Sequence, residues 1–229
     1  MKISCFLPVR SGSERILNKN TKDFAGISGG LLSIKLNQLI DCENFEEVVL
    51  STDDAKAIEI AENINKNSVR TIRIVERPKY LALSKTSLSD LIMYAGDICK
   101  FDHILWTHTT SPFINGEKYH EVIKHFENLS SEYDSLMTGF ALQSFLWNIK
   151  KGDIINRGDS NEKWPRTQDL EKLYEIDNGI FIVDRKQYLE GNRVGKNPYI
   201  YELDKISKLD IDDEIDFEIA ELLFSNDIK

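Results

Sequence analysis

The chain contains few of the residues that mark specialised small folds. Its 3 Cys among 229 residues form no C-x-x-C pair, so the pattern favours neither a disulfide framework nor a zinc ribbon. Only 5 Pro and 12 Gly are present, which excludes collagen-like and low-complexity compositions. Few, widely separated thiols are typical of a reducing compartment, and we therefore expect a cytoplasmic protein.

Long apolar runs and an excess of positive charge are also absent. The first apolar run, at 3–9, is interrupted by Pro8 and followed by Arg10, so it is too short for a signal-peptide core or a membrane span. The net charge of -9 argues against a broad nucleic-acid surface, which needs clustered Lys and Arg. We expect neither membrane nor nucleic acid as a partner, and any anionic substrate must bind to local cations.

The composition is that of a folded protein, 41% hydrophobic and 29% charged, and its length suits a single domain over 1–229. Short apolar runs that predict buried strands alternate with segments of helical spacing. The strands fall at 3–9, 48–50, 71–75 and 104–106, and the helices at 32–40, 57–64 and 88–98. This alternation predicts an α/β fold with a mostly parallel sheet. Ligands of such sheets bind beyond the carboxyl ends of strands, so the loops after these strands are the candidate site.

The second half is less regular. Strands are predicted at 134–142, 179–183 and 199–203, and residues 143–172 form an excursion without clear periodicity. Residues 213–224 predict an amphipathic helix. We expect its inward face to carry Ile215, Ile219, Leu222 and Leu223.

A small-residue turn lies between two cations after the first strand. Ser11, Gly12 and Ser13 stand between Arg10 and Lys19, and the backbone freedom of glycine allows successive N–H groups to converge on a phosphate. An ordinary surface loop has the same composition. The Gly-Lys-Ser/Thr of a P-loop and the G-x-G-x-x-G of a dinucleotide site are both missing from this loop.

An acidic run precedes the last predicted helix. Residues two apart on a strand end point the same way, so Asp210 and Asp212 place two carboxylates on one face. Such hard oxygen ligands suit magnesium that carries nucleotide phosphates. The alternative is helix capping, in which Asp212 or Asp213 caps the helix and the other acids interact with its dipole.

The first loop resembles the opening motif of the acylneuraminate cytidylyltransferases, and further motifs follow in the family's order over nearly the whole chain. The matching loop positions are Arg10, Ser13, Arg15, Ile16, Lys19 and Asn20. The later matches are 51–53, 77–78 with 81–82, 110–112, 168–170, 178–179 and 210–212. The resemblance implies a Rossmann-like three-layer nucleotidyltransferase fold.

The resemblance also implies roles for these residues. Arg10 and Lys19 would be catalytic, holding the triphosphate of CTP and stabilising the departing pyrophosphate. Asp210 and Asp212 would bind Mg²⁺, which leaves Asp213 and Glu214 as capping residues. The implied nucleotide-binding set is Arg10, Ser11, Gly12, Ser13, Arg15, Lys19, Asn20, Arg77, Ser84, Thr86 and Ser87. On the residues alone, Arg77 is equally compatible with a surface salt bridge. Glu14 departs from the family, where many members have a basic residue.

On the acceptor side the resemblance implies contacts from Thr110, Ser111, Gln168, Tyr174 and Asn178 to a sugar acid. The acid's carboxylate needs a cation, and Arg166 and Lys172 lie close to Gln168 in sequence. His108 replaces the family's usual glutamine, and because no His shows zinc-ligand spacing we expect structural or solvent-facing histidines.

Two positions where the chain differs from the family's motifs narrow the identity of the sugar. The branch that activates 3-deoxy-manno-octulosonic acid usually has Gln-Gly-Asp where this chain has 110–112, which disfavours that acceptor. Many sialic acid enzymes have an arginine before the Asn-Gly pair, whereas this chain has 175–177 as Glu-Ile-Asp. N-acetylneuraminate is therefore in doubt, and a related nine-carbon acid such as a legionaminic-type sugar stays open.

The predicted reaction is transfer of CMP from CTP to the anomeric hydroxyl of a 2-keto sugar acid, with release of pyrophosphate. Two alternatives stay open: a nucleotidyltransferase that uses a phosphorylated acceptor, and a non-catalytic nucleotide-binding regulatory protein. Relatives form homodimers through the segment that corresponds to 143–172, where Phe145 and Trp147 would supply apolar contacts. The same aromatic residues also suit a monomer's core.

Overall fold

A computed structural model describes residues 1–83, 85–158 and 162–226. Strands and helices alternate through the first half, as the sequence predicts. Their bounds are β1 (Ile3–Val9), α1 (Gly30–Asp41), β2 (Glu47–Thr52), α2 (Ala55–Asn67), β3 (Ile72–Glu76), α3 (Leu88–Ile98), β4 (His103–Thr107), α4 (Gly116–Glu127), β5 (Ser135–Leu142), β6 (Trp147–Asn148), β7 (Asp153–Ile154), β8 (Leu173–Glu175), β9 (Ile180–Asp184), α5 (Arg185–Leu189), β10 (Pro198–Glu202) and α6 (Glu214–Ser225).

The main sheet has the order β10-β5-β9-β4-β1-β2-β3, with β8 paired to β5. Strand β1 is parallel to both β2 and β4, and β2 is parallel to β3. Strand β9 runs antiparallel between β4 and β5, and β8 is also antiparallel. The predicted α/β fold with a mostly parallel sheet is confirmed. The carboxyl ends of β1, β2 and β4 therefore share one edge with the beginning of β9.

Apolar side chains cover both faces of the sheet. On β1, Phe6 packs with Trp106 and Tyr188 on the side of α3 and α5, while its neighbour Leu7 packs with Leu36 on the side of α1. Adjacent residues on a strand point to opposite faces, so this pair defines a three-layer arrangement. The three cysteines are buried and free. Within the ranges described, no helix has the length and apolar character to cross a bilayer.

The last helix contradicts one prediction. The expected inward residues Ile215, Ile219 and Leu222 are exposed, whereas Phe217 and Ala220 are buried. Phe217 contacts Phe24 edge-on, with ring centroids 5.1 Å apart. Apolar residues lie around most of this helix, so helical spacing alone identified the wrong stripe.

Two helices escaped prediction. Helix α4 buries Tyr119, Val122 and Ile123 and packs Phe126 partly against the same core, so its apolar residues do have helical spacing that the sequence shows. Asn115 caps it by accepting a hydrogen bond from the Lys118 amide at 2.9 Å. Helix α5 has five residues, too few for a periodic pattern. The excursion at 143–172 contains the β6-β7 hairpin and a 3₁₀ turn at Thr167–Asp169.

Candidate active site

A cavity of about 270 Å³ opens at the carboxyl ends of β1 and β4. Its lining comes from the loop after β1 and the loop after β4, the two loops that sheet topology marks for ligands. The lining residues are Pro8, Arg10, Ser13, Glu14, Arg15, Lys19, Asn20, His108, Thr109 and Thr110. The sequence therefore predicted the place of the cavity and most of its lining.

Hydrogen bonds fix the loop after β1 to the end of β2. The Ser11 amide and hydroxyl donate to the two carboxylate oxygens of Asp53, at 2.9 and 2.7 Å. Burial opposes ionisation of Asp53, but these hydrogen bonds lower its pKa below the usual value. Gly12 has φ 69, a left-handed conformation that favours glycine. Ser11 thus helps to position the loop, and its contact to nucleotide stays a prediction.

Lys19 connects this loop to the acidic segment near the last helix. Its ammonium donates to the Ile211 carbonyl at 2.5 Å. Partial burial lowers the pKa of Lys19, while the charges of Asp210 and Asp212 act in the opposite direction. Arg15 pairs with Asp212 at 2.7 Å, with 63% and 57% of their side chains exposed. Lys19 and Arg15 therefore join the loop after β1 to the segment that carries the predicted metal-binding acids.

Asp210 has an unused oxygen. Burial raises the pKa of its carboxyl group, which the Thr110 hydroxyl opposes by hydrogen bonding. Its Oδ1 atom is buried and finds no hydrogen-bond partner among the residues described. The Thr110 carbonyl also accepts a hydrogen bond of 2.9 Å from the Ile211 amide. This bond fixes the acidic segment beside the loop after β4.

This pair of carboxylates fits a hard divalent cation. The unpartnered Oδ1 of Asp210 and the exposed carboxylate of Asp212 are donors of the type that Mg²⁺ prefers. In the described parts of the chain, no group of three or more His, Cys, Asp or Glu is placed to hold a metal. The remaining ligands of such an ion would then be water and substrate oxygens, which is usual for magnesium with phosphates.

Two of the other acids, Asp213 and Asp216, cap α6. The Asp213 carboxylate accepts from the amides of Ile215 and Asp216 at 2.9 and 3.0 Å. The Asp216 carboxylate accepts in return from the amides of Asp212 and Asp213, which completes a capping box. Capping by Asp213 is confirmed. Glu214 lies in the first turn without a capping contact, and the expectation that it caps the helix is wrong.

His108 is held in one tautomer. Its Nε2 accepts from the indole Nε1 of Trp106 at 2.9 Å, so its Nδ1 carries the proton and donates to the Asn178 carbonyl at 2.7 Å. Burial is the main reason that the pKa of His108 falls to about 4. The ring is neutral at pH 7 and serves to position Asn178.

The predicted acceptor residues do not all lie at the cavity. Thr110 lines the cavity, and Asn178, with a left-handed φ of 59, lies behind His108. Ser111 is buried and its carbonyl accepts from the buried ammonium of Lys35 at 2.8 Å. Gln168 lies on the 3₁₀ turn and Tyr174 on β8, and neither lines the described cavity.

Of the predicted base-recognition residues, three are held by local structure. Arg77 is buried and donates to the Ser51 carbonyl at 2.6 Å, so the surface salt bridge considered for it is wrong. Burial is the main cause that lowers the pKa of Arg77 to about 10. The Thr86 hydroxyl donates to the Tyr80 carbonyl at 2.6 Å, and Ser87 caps α3. Ser84 lies outside the described residues.

Two contacts at the site were not predicted. Asn20 accepts from the Thr109 hydroxyl at 2.7 Å, which joins the loops after β1 and β4. The cation Arg193 lies beside Asn178, with Nη2 3.4 Å from Asn178 Oδ1. Arg193 belongs to none of the matched motifs, and 15 positions separate it from Asn178, so the sequence held no sign of it.

Comparisons with known proteins agree with this geometry. The cytidylyltransferase family model matches residues 4–226. The pseudaminic acid cytidylyltransferase of Campylobacter jejuni is 27% identical over 98% of this chain and 97% of that protein. The N-acylneuraminate cytidylyltransferase of Escherichia coli is 29% identical over 96% of this chain, which spans 51% of that longer protein.

Solved structures share the fold. A CMP:2-keto-3-deoxy-manno-octonic acid synthetase complexed with CTP superposes with a TM-score of 0.67, at 12% identity, over 99% of this chain and all of that one. A 4-diphosphocytidyl-2C-methyl-D-erythritol synthase from Anaerococcus prevotii gives 0.66 at 13% identity, over 97% and 96% of the two chains. With the family model matched from β1 to the end of α6, this chain belongs to the acylneuraminate-type cytidylyltransferase family and is a CTP-dependent nucleotidyltransferase.

Proposed function

We propose that the enzyme transfers CMP from CTP to the anomeric hydroxyl of a nonulosonic acid, a nine-carbon 2-keto sugar acid, and releases pyrophosphate. The observation that carries the proposal is a cavity lined by Arg10, Arg15 and Lys19 that is joined to the acidic segment by the Arg15–Asp212 ion pair and the Lys19 contact to the Ile211 carbonyl. Cations and a carboxylate pair are both needed when a magnesium nucleotide is the substrate.

In the proposed reaction the acceptor hydroxyl oxygen forms a bond to the α-phosphorus of CTP. The bond from that phosphorus to the bridging oxygen of pyrophosphate breaks, and the hydroxyl proton passes to water. Arg10 and Lys19 neutralise the negative charge that accumulates on the leaving pyrophosphate. Because the cavity presents these cations in fixed loops, little reorganisation is needed as the charge develops.

Mg²⁺ is the proposed cofactor, held by Asp210 and Asp212. When bound it would neutralise phosphate charge and acidify the acceptor hydroxyl. The buried, unpartnered Oδ1 of Asp210 supports this assignment, because an unpaired buried carboxylate oxygen costs stability unless a ligand satisfies it. Arg15 holds Asp212 beside the loop after β1, which keeps the second carboxylate at the cavity.

Two kinds of observation support the proposed acceptor class: the substrates named for similar proteins, and the positions where this chain differs from the family's motifs. Proteins similar to this chain are named for pseudaminic acid, N-acylneuraminate and N,N'-diacetyllegionaminic acid. The loop at 110–112 has no Asp, and 175–177 has no Arg. A nonulosonic acid other than N-acetylneuraminate, such as a pseudaminic or legionaminic acid, is therefore the proposed acceptor.

The test is an assay of pyrophosphate release with CTP, Mg²⁺ and a panel of sugar acids, with the CMP-sugar identified by mass. We expect turnover with one of the nine-carbon acids and none without Mg²⁺. A panel of sugar phosphates tests the phosphorylated-acceptor alternative, and turnover there alone would replace the proposal. Binding of CTP by the folded protein without release of pyrophosphate for any acceptor would contradict catalysis and favour the regulatory alternative.

A further inference from the structure

Arg193 lies in the segment between α5 and β10. Its guanidinium carbon is 4.0 Å from the centroid of the Phe181 ring and 5.0 Å from that of Trp106. Both rings belong to the core cluster on the α3 and α5 side of the sheet. The aromatic contacts fix the plane of the guanidinium and supply cation–π stabilisation. They use none of its N–H donors, so the hydrogen-bonding edge stays available.

The donors of Arg193 are largely unused. A guanidinium has five N–H donors, and the side-chain hydrogen bond found for Arg193 in the described chain is the long one to Asn178 Oδ1, at 3.4 Å. No carboxylate of a described residue lies within the 4.0 Å of an ion pair. Arg77, the buried arginine after β3, by contrast makes two hydrogen bonds to Ser51.

This cation is costly to the apo-protein. Burial lowers the pKa of Arg193 from its usual value, which means that the surroundings disfavour its charge. A charged group without a counter-ion in such surroundings is destabilising unless an anion binds there. The residue is neither fully buried nor fully exposed, so its open edge can be reached from solvent.

Contacts connect Arg193 to the cavity. The side chain of Asn178 accepts a hydrogen bond from Arg193, and its carbonyl accepts one from Nδ1 of His108. His108 in turn lines the cavity. The Arg193 charge is near enough to contribute to the lowered pKa of His108. A single residue, Asn178, therefore separates the Arg193 guanidinium from the cavity-lining ring of His108.

The position of Arg193 separates it from the phosphate cations. Strand β4 lies between β9 and β1 in the sheet. Arg10 and Lys19 follow β1, whereas Asn178 precedes β9 and Arg193 packs on Phe181 of β9. Cations thus lie on both sides of β4, because Arg10 and Lys19 line the cavity on the β1 side and Arg193 lies against Phe181 and Asn178 on the β9 side. A triphosphate bound on the β1 side leaves the β9 side for the second substrate.

We propose that Arg193 binds the carboxylate of the acceptor sugar acid and so selects acids over neutral sugars. This inference rests on the proposed function, since it takes the second substrate to be a sugar acid. Guanidinium and carboxylate are matched in shape and can form two parallel hydrogen bonds. The aromatic rings behind Arg193 hold its fork in place before the acid arrives, and Asn178 limits its rotation.

The test is a comparison of steady-state kinetics for wild type, Arg193→Gln and Arg193→Lys, with whichever sugar acid the wild type uses. We expect Arg193→Gln to raise KM for the sugar acid by about 10- to 100-fold, the loss of one charge-assisted contact, and to leave KM for CTP unchanged. Arg193→Lys keeps the positive charge but loses the planar guanidinium, so its KM for the sugar acid should lie between those of wild type and Arg193→Gln. Lys196→Gln, an exposed cation in the same segment, is the matched control.

A second measurement separates binding from folding. The C1 amide of the same sugar acid should be a poor substrate for the wild type, and Arg193→Gln should lose this discrimination between acid and amide. If Arg193→Gln does not fold, Arg193→Lys and the amide decide. An unchanged KM for the acid, or a raised KM for CTP, overturns the inference and leaves the proposed function in place. A wild type that turns over no sugar acid overturns the proposed function itself.

Discussion

At the scale of residues, the polar groups of the site divide by whether the protein already satisfies them. The hydroxyls of Ser11 and Thr86 each donate their proton to a partner that holds a loop. Asp210 Oδ1 and the Arg193 guanidinium keep unused capacity. Unsatisfied polar groups in a folded interior are costly and therefore mark places where a ligand is expected. The two places correspond to a cation and an anion.

Replacement of Lys19 tests the phosphate side. We expect Lys19→Met to lower kcat by about 10²- to 10³-fold, the usual effect of removing one group that stabilises developing negative charge, because in the proposed reaction its ammonium would neutralise charge on the departing pyrophosphate. The measurement is pyrophosphate release at saturating CTP and sugar acid. Lys66→Gln, an exposed cation in the last turn of α2, serves as the control. A kcat within twofold of wild type for Lys19→Met would remove Lys19 from catalysis.

His108 predicts a pH dependence of stability. Its pKa is about 4 in the folded protein against 6.5 for an ordinary histidine, so the unfolded chain binds more protons between these values. The free energy of unfolding then rises with pH across this window. The contribution that His108 makes to it is lost as the pH falls from 6.5 to 4. Relative to His108→Gln, whose side chain does not titrate, the wild type should lose about 3 kcal/mol over that interval. Urea titrations at several pH values measure this, and parallel profiles would refute it.

At the scale of elements, the last helix depends on its first turn. Asp213→Ala removes the acceptor for two amides and should lower the free energy of unfolding by about 1 kcal/mol. Glu218→Gln, an exposed position in the same helix, should change it by less than about 0.5 kcal/mol. Thermal unfolding of both variants checks the prediction. Equal effects would show that the capping box contributes nothing specific.

Elements with continuous apolar runs could be predicted from sequence, and those with ambiguous faces could not. β1 and α3 match their predicted ranges because a buried strand and a well-capped helix each have a clear pattern. Helix α6 has apolar residues on several sides, so only packing against Phe24 decides which stripe is buried. At the site, motifs predicted Lys19 and Asp210. Arg193 could not be found, because its role depends on rings and an amide brought close by folding.

At the scale of the whole molecule, we propose that two chains associate through the excursion at 143–172. Trp147 and Trp164 expose 54% and 61% of their surface, and Phe145 contacts Trp164 with ring centroids 5.7 Å apart. Exposed aromatic residues in one segment are typical of an interface. The same residues do not enter the core of the described chain.

Sedimentation equilibrium tests this association. The wild type should sediment as twice its mass of 26.4 kDa, and Trp147→Ser should shift the equilibrium toward the monomer by at least tenfold in Kd, since truncation of a central interface aromatic costs more than about 1.4 kcal/mol. Val69→Ser removes an even more exposed apolar side chain outside the excursion and should have no effect. A wild type that stays monomeric at micromolar concentration would contradict the proposal.

The ion pair between Arg15 and Asp212 joins positions 197 residues apart in the chain, and the Lys19 contact to the Ile211 carbonyl spans 192. Contacts of such high sequence separation form late, because the loop they close must first lose its conformational entropy. A nascent chain can therefore pair β1 with β2 well before it has any catalytic centre. The magnesium nucleotide of the proposed reaction would favour the closed arrangement by mass action, and would then be an aid to the last step of the enzyme's maturation as well as its substrate.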